Sequence, residues 1–302
     1  MNTKFLDYML EGCSFPAEAA DFFRSLAASV KEQGLEDEFD EICKFYMVEY
    51  RREATEEMLK KFAEKAGGSF YSYWMLLFLL NAEEAREKYY ARGVSEEIFL
   101  DTFCDLRYKA IECMEEHGVW GTFVAGWYGL FYSCRIIKFG RFEYQDEEYG
   151  WRDLDLCGYE LRGGRKCLSL HIPSSGEPFD YEARLESYKT AYEFYKKEHG
   201  EGPLVCICGS WLLNPGYENV FPEGSNTRDF QKDFYMLKGE EQDEFDDDWR
   251  VFGRHHRKPL AELPEDTRMR RAFKKYFLEG GKPGEGFGVI IYDDQGLRTR
   301  RQ

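Results

Sequence analysis

Cys167-Leu-Ser-Leu-His171 runs into Ile172-Pro173-Ser174-Ser175-Gly176, a helical stretch follows from Asp180 to His199, and the chain then reads Leu204-Val-Cys-Ile-Cys-Gly209-Ser210-Trp211. The two short β-prone runs flank a segment in which Leu185, Tyr188, Ala191, Tyr192 and Tyr195 fall on one helix face. A strand, a crossover helix and a second strand in one sheet give a parallel pair. In open α/β sheets ligands gather beyond the carboxyl ends of such strands, and His171 and Ser210 occupy the two ends. A glycine-bearing turn ahead of a helix start also offers unpaired backbone N–H groups to an anion.

Outward from this unit, Ile136, Phe139, Phe142 and Tyr144 are strand-like, as are Leu154, Leu156, Tyr159 and Leu161. Further on, Ser225 caps a short helix through Phe234, Trp249–Gly253 reads as a strand, Asp266–Glu279 as a helix and Phe287–Tyr292 as a last strand. The acidic stretch Glu240–Asp248 reads as a solvated loop, since it lacks calcium-loop spacing. Before residue 130 the pattern is helix after helix: 16–34, a segment around Phe39–Tyr46, another closed by Gly67-Gly68, then 69–92 and 95–118. The predicted architecture is α+β / α/β with two domains, an all-helical 1–130 and a mixed sheet flanked by helices over 131–302.

With 302 residues, two domains agree with roughly 150 residues per domain. A hydrophobic fraction of 43% with 17% aromatics supports packed cores rather than disorder. The net charge of −16 argues against a nucleic-acid partner, which asks for a basic stripe. Trp74–Leu80, the longest nearly apolar run, is about a third of the roughly 20 residues a membrane helix needs, so no membrane partner is expected. Residues 1–20 lack a secretory apolar core, and nine cysteines, most of them in apolar periodic segments, suit a reducing compartment. The expectation is a soluble cytoplasmic protein.

There is no P-loop, no Gly-x-Gly-x-x-Gly after a strand, no His-Glu-x-x-His and no Cys-x-x-Cys, and no metal is expected. Cys206 and Cys208 alternate onto one strand face, as core thiols do. His171 is the proton-transfer candidate, because imidazole exchanges a proton near neutral pH; the alternative is a histidine satisfied at a strand end. Ser210 is a candidate donor to a developing oxyanion or leaving thiolate, or else a turn-stabilising hydroxyl. Ser225-Asn226 reads as a cap and turn or a substrate contact, and His255-His256 as solvent-facing.

Gly140-Arg-Phe-Glu143, His171-Ile-Pro173, Ser210-Trp-Leu-Leu213 with Pro215, Ser225-Asn226 with Phe230, and Leu263-Pro-Glu265 with Thr267 occur here in one order. In that order the chain resembles bacterial acyltransferase-domain proteins that join a helical N-acyltransferase N-terminal domain to a GNAT-like C-terminal domain. The resemblance spans nearly the whole chain and is specific from residue 130 onward. It implies that two parallel strands splay to admit acetyl-CoA or another acyl-CoA as co-substrate, with the amine of a small molecule or peptide as acceptor. On this resemblance His171 and Ser210 are catalytic, and Ile172, Ser174, Ser175, Gly176, Gly209 and Trp211 hold the acyl-CoA. Arg141, Glu143, Ser225 and Asn226 would meet the acceptor. The pyrophosphate loop of GNAT proteins, Arg/Gln-x-x-Gly-x-Gly/Ala, is replaced here by a turn with one glycine, in which Pro173 and Pro178 donate no N–H. A non-catalytic ligand- or protein-binding module is the alternative.

Overall fold

The computed structural model describes residues 1–301 and divides into two compact units, Met1–Lys138 and Phe139–Gln302. The first is built from α1 (Thr3–Gly12), α2 (Ala17–Glu32), α3 (Glu36–Glu49), α4 (Arg52–Ala66), α5 (Phe70–Ala91), α6 (Glu96–Phe103), α7 (Asp105–His117) and the single turn α8 (Gly129–Tyr132). Helix α5 is buried continuously from Ser72 to Leu80, as expected of a helix apolar on all sides. Trp74 and Phe78 stack at 5.4 Å, and Phe78 packs on Tyr128 at 4.4 Å.

Two features of this unit depart from the sequence reading. Helix α1 precedes the first helix expected from the sequence; Asn2 caps it by accepting from the Phe5 N–H at 3.2 Å, and Phe5, Leu6, Met9 and Leu10 form its buried face. The helix expected over 95–118 breaks at Cys104 into α6 and α7. Thr102 Oγ1 donates to the Ile98 carbonyl at 2.7 Å and accepts from Lys138 N–H at 2.9 Å, a back-bond of the kind that bends helices.

The second unit holds a mixed sheet. Its strands are β1 (Ile136–Phe139), which straddles the boundary between the units, β2 (Phe142–Glu148), β5 (Lys166–His171), β6 (Leu204–Ser210), β7 (Tyr235–Glu241), β8 (Gly284–Asp293) and β9 (Gly296–Leu297), in the order β1-β2-β5-β6-β8-β7 with β9 on β8. A separate hairpin, β3 (Leu154–Leu156) with β4 (Tyr159–Leu161), covers one face. There Leu161 and Tyr149 pack on Cys167, Val205, Ile207, Val289 and Ile291. Helix α9 (Tyr181–His199) lies on the opposite face, where Phe142 stacks on Tyr188 at 5.3 Å and Tyr144 Oη meets Ser187 Oγ at 2.9 Å. After β6 come α10 (Asn226–Gln231), α11 (Asp248–Phe252) and α12 (Arg268–Leu278). Tyr217, Phe221, Phe252 and Phe273 form a third core near them.

Asp248–Phe252 is therefore a helical turn where a strand was expected over Trp249–Gly253. Asp248 suits the positive end of a helix, and Val251 and Phe252 turn into the aromatic core. The first two residues of the expected acidic loop, Glu240 and Glu241, instead end β7, an edge strand whose Lys238, Glu240 and Glu241 discourage further pairing.

A buried ionic knot ties α9 to α10. Arg184 and Asp233 are each 0% exposed, and Arg184 Nε donates to Asp233 Oδ2 at 2.8 Å while Nη2 donates to Asp229 at 2.8 Å. Tyr188 Oη adds a 3.1 Å bond to Asp233, and Arg300 pairs with both carboxylates.

Candidate active site at the diverging strands

Strands β5 and β6 run parallel and pair only at Leu168 with Cys206 and at Ser169 with Ile207. Beyond that level β5 continues to His171 and β6 to Ser210 without pairing to each other. Each strand keeps its outer partner: His171 faces Glu143 on β2, and Ser210 faces Gly286 on β8. The ladder between the two parallel strands is thus confined to two residue pairs, and their carboxyl ends, His171 and Ser210, lie outside it.

Side chains alternate along a strand, so the register assigns faces. Cys167, Ser169 and His171 share the hairpin face with Ile207 and Gly209, whereas Leu170 shares the α9 face with Cys208 and Ser210. The two catalytic candidates flank one gap from opposite sides. His171 is half-buried, and burial pushes its pKa down to about 4, so its imidazole is neutral near pH 7. Gln145 donates through Nε2 to Glu147 at 3.3 Å, which leaves its Oε1 to accept from His171 Nε2–H at 2.9 Å. That bond makes Nδ1 the basic nitrogen. Glu143, 2% exposed, sits directly across from His171 on the same face.

Arg141 joins this corner by donating to the Pro173 carbonyl at 2.9 Å while its guanidinium lies 4.9 Å from the Phe179 ring centre. Arg141, Glu143 and His171 are therefore brought together, and Gln145 completes the group. Its signal was available as the next same-face position after Glu143 on a period-2 strand. Glu285, two strands away on the same face, was also missed in the sequence. Burial, then Asp247 and Asp246, hold its carboxyl above the usual range, and Gln242 donates to it at 3.3 Å.

Ser210 Oγ accepts from Leu212 N–H at 3.2 Å and so caps the 3₁₀ turn Trp211–Leu213; its own O–H proton is not spent in that bond. Gly209 leaves room for the Phe287 ring, whose Cε1 would lie 2.7 Å from a Cβ there. A Cβ on Gly286 would overlap the Leu213 carbonyl. Trp211 packs with Phe245 and Phe273 at 5.8 and 5.6 Å, in the third core.

Ile172, Ser174, Ser175 and Gly176 lie in the irregular loop after β5, where Ser175 Oγ accepts from Glu177 N–H at 3.3 Å. Asp180 then caps α9, its carboxylate accepting from Ala183 N–H at 2.9 Å. Ser225 caps α10 through the Arg228 N–H at 3.2 Å and lines a cleft of about 390 Å³; Asn226 is the exposed first residue of that helix. His256 differs from its solvent-facing expectation, since its Nδ1 meets Asp248 Oδ1 at 2.7 Å. The thiols of Cys167 and Cys208 are pushed up to about 12 by burial, and that of Cys206 well above its ordinary value. Asp146, Glu198 and His199 bring one ligand atom each within 4.8 Å of the others, a group able to hold a cation.

Two family profiles cover the chain: the N-acyltransferase N-terminal domain over residues 4–134 and the GNAT-like C-terminal domain over 136–290. The chain belongs to the family that joins these two domains, in agreement with the resemblance carried by its motifs. Among solved structures it is similar to an acyltransferase in complex with decanoyl-CoA and teicoplanin, at 19% identity and a TM-score of 0.73, covering 94% of this chain and 87% of that one. An acyltransferase in complex with decanoyl-CoA aligns at 23% identity and a TM-score of 0.63 over 74% and 67% of the two chains. A mutant acyltransferase in complex with octanoyl-CoA aligns at 19% and 0.71 over 94% and 86%. These likenesses establish the two-domain α+β fold with a GNAT-like sheet. No curated protein sequence matches.

Proposed function

We propose that the chain is an acyl-CoA-dependent N-acyltransferase that moves an acyl group onto the amine of a small molecule or peptide. The short β5–β6 ladder carries this reading, because beyond Ser169 and Ile207 the two strands do not pair with each other and their facing backbone edges are left for an extended thioester arm. Family membership supports the reaction class, and the complexes of similar folds with decanoyl-CoA and octanoyl-CoA support the donor. The teicoplanin complex of a similar fold supports a peptide or small-molecule acceptor.

In the reaction the amine nitrogen attacks the thioester carbonyl carbon, a C–N bond forms, the C–S bond breaks, and the CoA sulfur leaves as thiolate. The ammonium proton passes to a base and the thiolate takes up a proton. Holding the two reactants in line supplies most of the advantage. On the hairpin face His171 Nδ1 is the proposed base, oriented by Gln145, while the carboxyls of Glu143 and Glu285 suit a cationic amine. From the α9 face the Ser210 hydroxyl is the proposed donor to the leaving sulfur. Nine cysteines without disulfides support a cytoplasmic setting, and no helix among the described residues is long and apolar enough to cross a membrane.

Asp180 favours a second reading, a non-catalytic binding module, because its carboxylate already occupies the α9 N-terminus where a pyrophosphate would be received. Calorimetric titration with acetyl-CoA and longer acyl-CoAs, with mass spectrometry of offered amines, separates the two. Heat on titration and acylated product support the transferase; absence of heat with every CoA ester removes its donor.

A further inference from the structure

The cleft beside α10 brings three cationic side chains together with three carboxylates, in a chain of net charge −16. Arg228, Lys232 and Arg301 line it, with Leu213 and Pro215 from the turn that follows Ser210. Arg228 and Lys232 stand four residues apart, so they neighbour one another on the helix surface, where like charges repel. Neither makes an ion pair or side-chain hydrogen bond among the described residues. Arg301 is fixed over the cleft by its N–H to the Lys232 carbonyl and its Nη2 to the Gln231 carbonyl, both at 2.9 Å.

Three carboxylates also border the cleft. Asp229 is bound by Arg184 at 2.8 Å and Arg300 at 2.6 Å; burial opposes its charge, but those bonds hold its pKa below the ordinary carboxylate value. Glu218 and Glu223 are exposed at the rim. The three cations therefore face the space with only these rim carboxylates to oppose them. Gln231 Nε2 donates to the Leu212 carbonyl at 2.8 Å and ties α10 to the same turn that Ser210 caps, so the cleft adjoins the segment that leaves the carboxyl end of β6. At the start of α9 the Asp180 carboxylate accepts from Ala183 N–H and sets a negative charge where a phosphate would approach.

We propose that this cleft is a phosphate-binding subsite, held by Arg228, Lys232 and Arg301, that takes the phosphorylated adenosine end of the CoA donor. The assignment rests on the acyl-CoA reading and displaces the phosphates from the loop after β5 to α10.

The test is calorimetry on the full chain and on the Arg228→Gln/Lys232→Gln variant, with Lys189→Gln, an exposed position of α9 outside the cleft lining, as control and melting curves to verify folding. Acetyl-CoA affinity is expected to fall at least about tenfold in the double variant, which removes two charge-assisted phosphate contacts, and to stay unchanged in the control. Equal affinity in the folded double variant overturns the subsite and leaves the transferase reading intact. If the wild-type chain binds no CoA ester, the transferase reading falls, and adenosine 3′,5′-bisphosphate alone decides the cleft. Binding that the double variant abolishes retains a phosphate site, and no binding overturns it.

Discussion

Glu143 and His171 stand directly opposite each other across the β2–β5 pair, on the face of the sheet that carries Gln145 and Glu285. A buried carboxyl, a neutral imidazole and an amide that sets its tautomer thus share one patch at the edge of the gap. His171→Ala is expected to lower kcat about 100-fold or more, in the range of general-base removal, with little change in acyl-CoA affinity. Steady-state kinetics beside calorimetry read the two separately, and an unchanged kcat removes His171 as base.

The depressed imidazole pKa also sets a stability window. Between its value of about 4 in the fold and an unfolded value near 6.5, the unfolded chain binds a proton that the native one refuses. Stability therefore rises with pH across that interval, by up to about 1.4 kcal/mol per unit from this group. Denaturant melts at pH 4.5, 5.5 and 6.5 on wild type and His171→Gln are expected to show a smaller slope in the variant; parallel slopes would contradict it.

Arg184→Met leaves Asp233 buried with one cation fewer, and removal of one partner from such a site costs about 3–5 kcal/mol. Arg184→Met/Asp233→Asn is expected to recover part of that loss in urea unfolding. A double variant no better than the single would mean that Asp233 is satisfied by Arg300 and Tyr188 alone.

Gly286→Ala drives a methyl into the Leu213 carbonyl, which is backbone and cannot rotate away. A loss of about 1–3 kcal/mol is expected, as for other overpacked positions. Gly163→Ala, in open space and without a left-handed φ, is the matched control with an unchanged melting temperature.

The strand-helix-strand unit was legible because each cue agreed: two short β-prone runs and, between them, a helical stripe over Asp180–His199. The parallel pair and its ends followed. Trp249–Gly253 misled because five residues are too few to separate period 2 from period 3.6, and the aromatic core around Phe273 decided the outcome. Strand β7 was hidden by Lys238-Gly-Glu-Glu241, whose charges suit a sheet edge rather than a hydrophobic run. The break at Cys104 depended on a hydroxyl, Thr102, meeting an amide 36 residues away, which no local pattern encodes. At the site, His171 and Ser210 were found by their positions at strand ends. Their placement on opposite faces required the register, and Gln145 required knowledge of its neighbour across the ladder.

The strands that border the gap carry their own chemical reporters. Cys167, Cys206 and Cys208 are buried with thiols too weakly acidic to ionise at neutral pH, so an alkylating reagent finds nothing to attack while the sheet is closed. Modification at these three sulfurs then times the opening of the two central strands themselves. A small molecule that wedges into the slot and steadies it would slow that clock without touching a single cysteine.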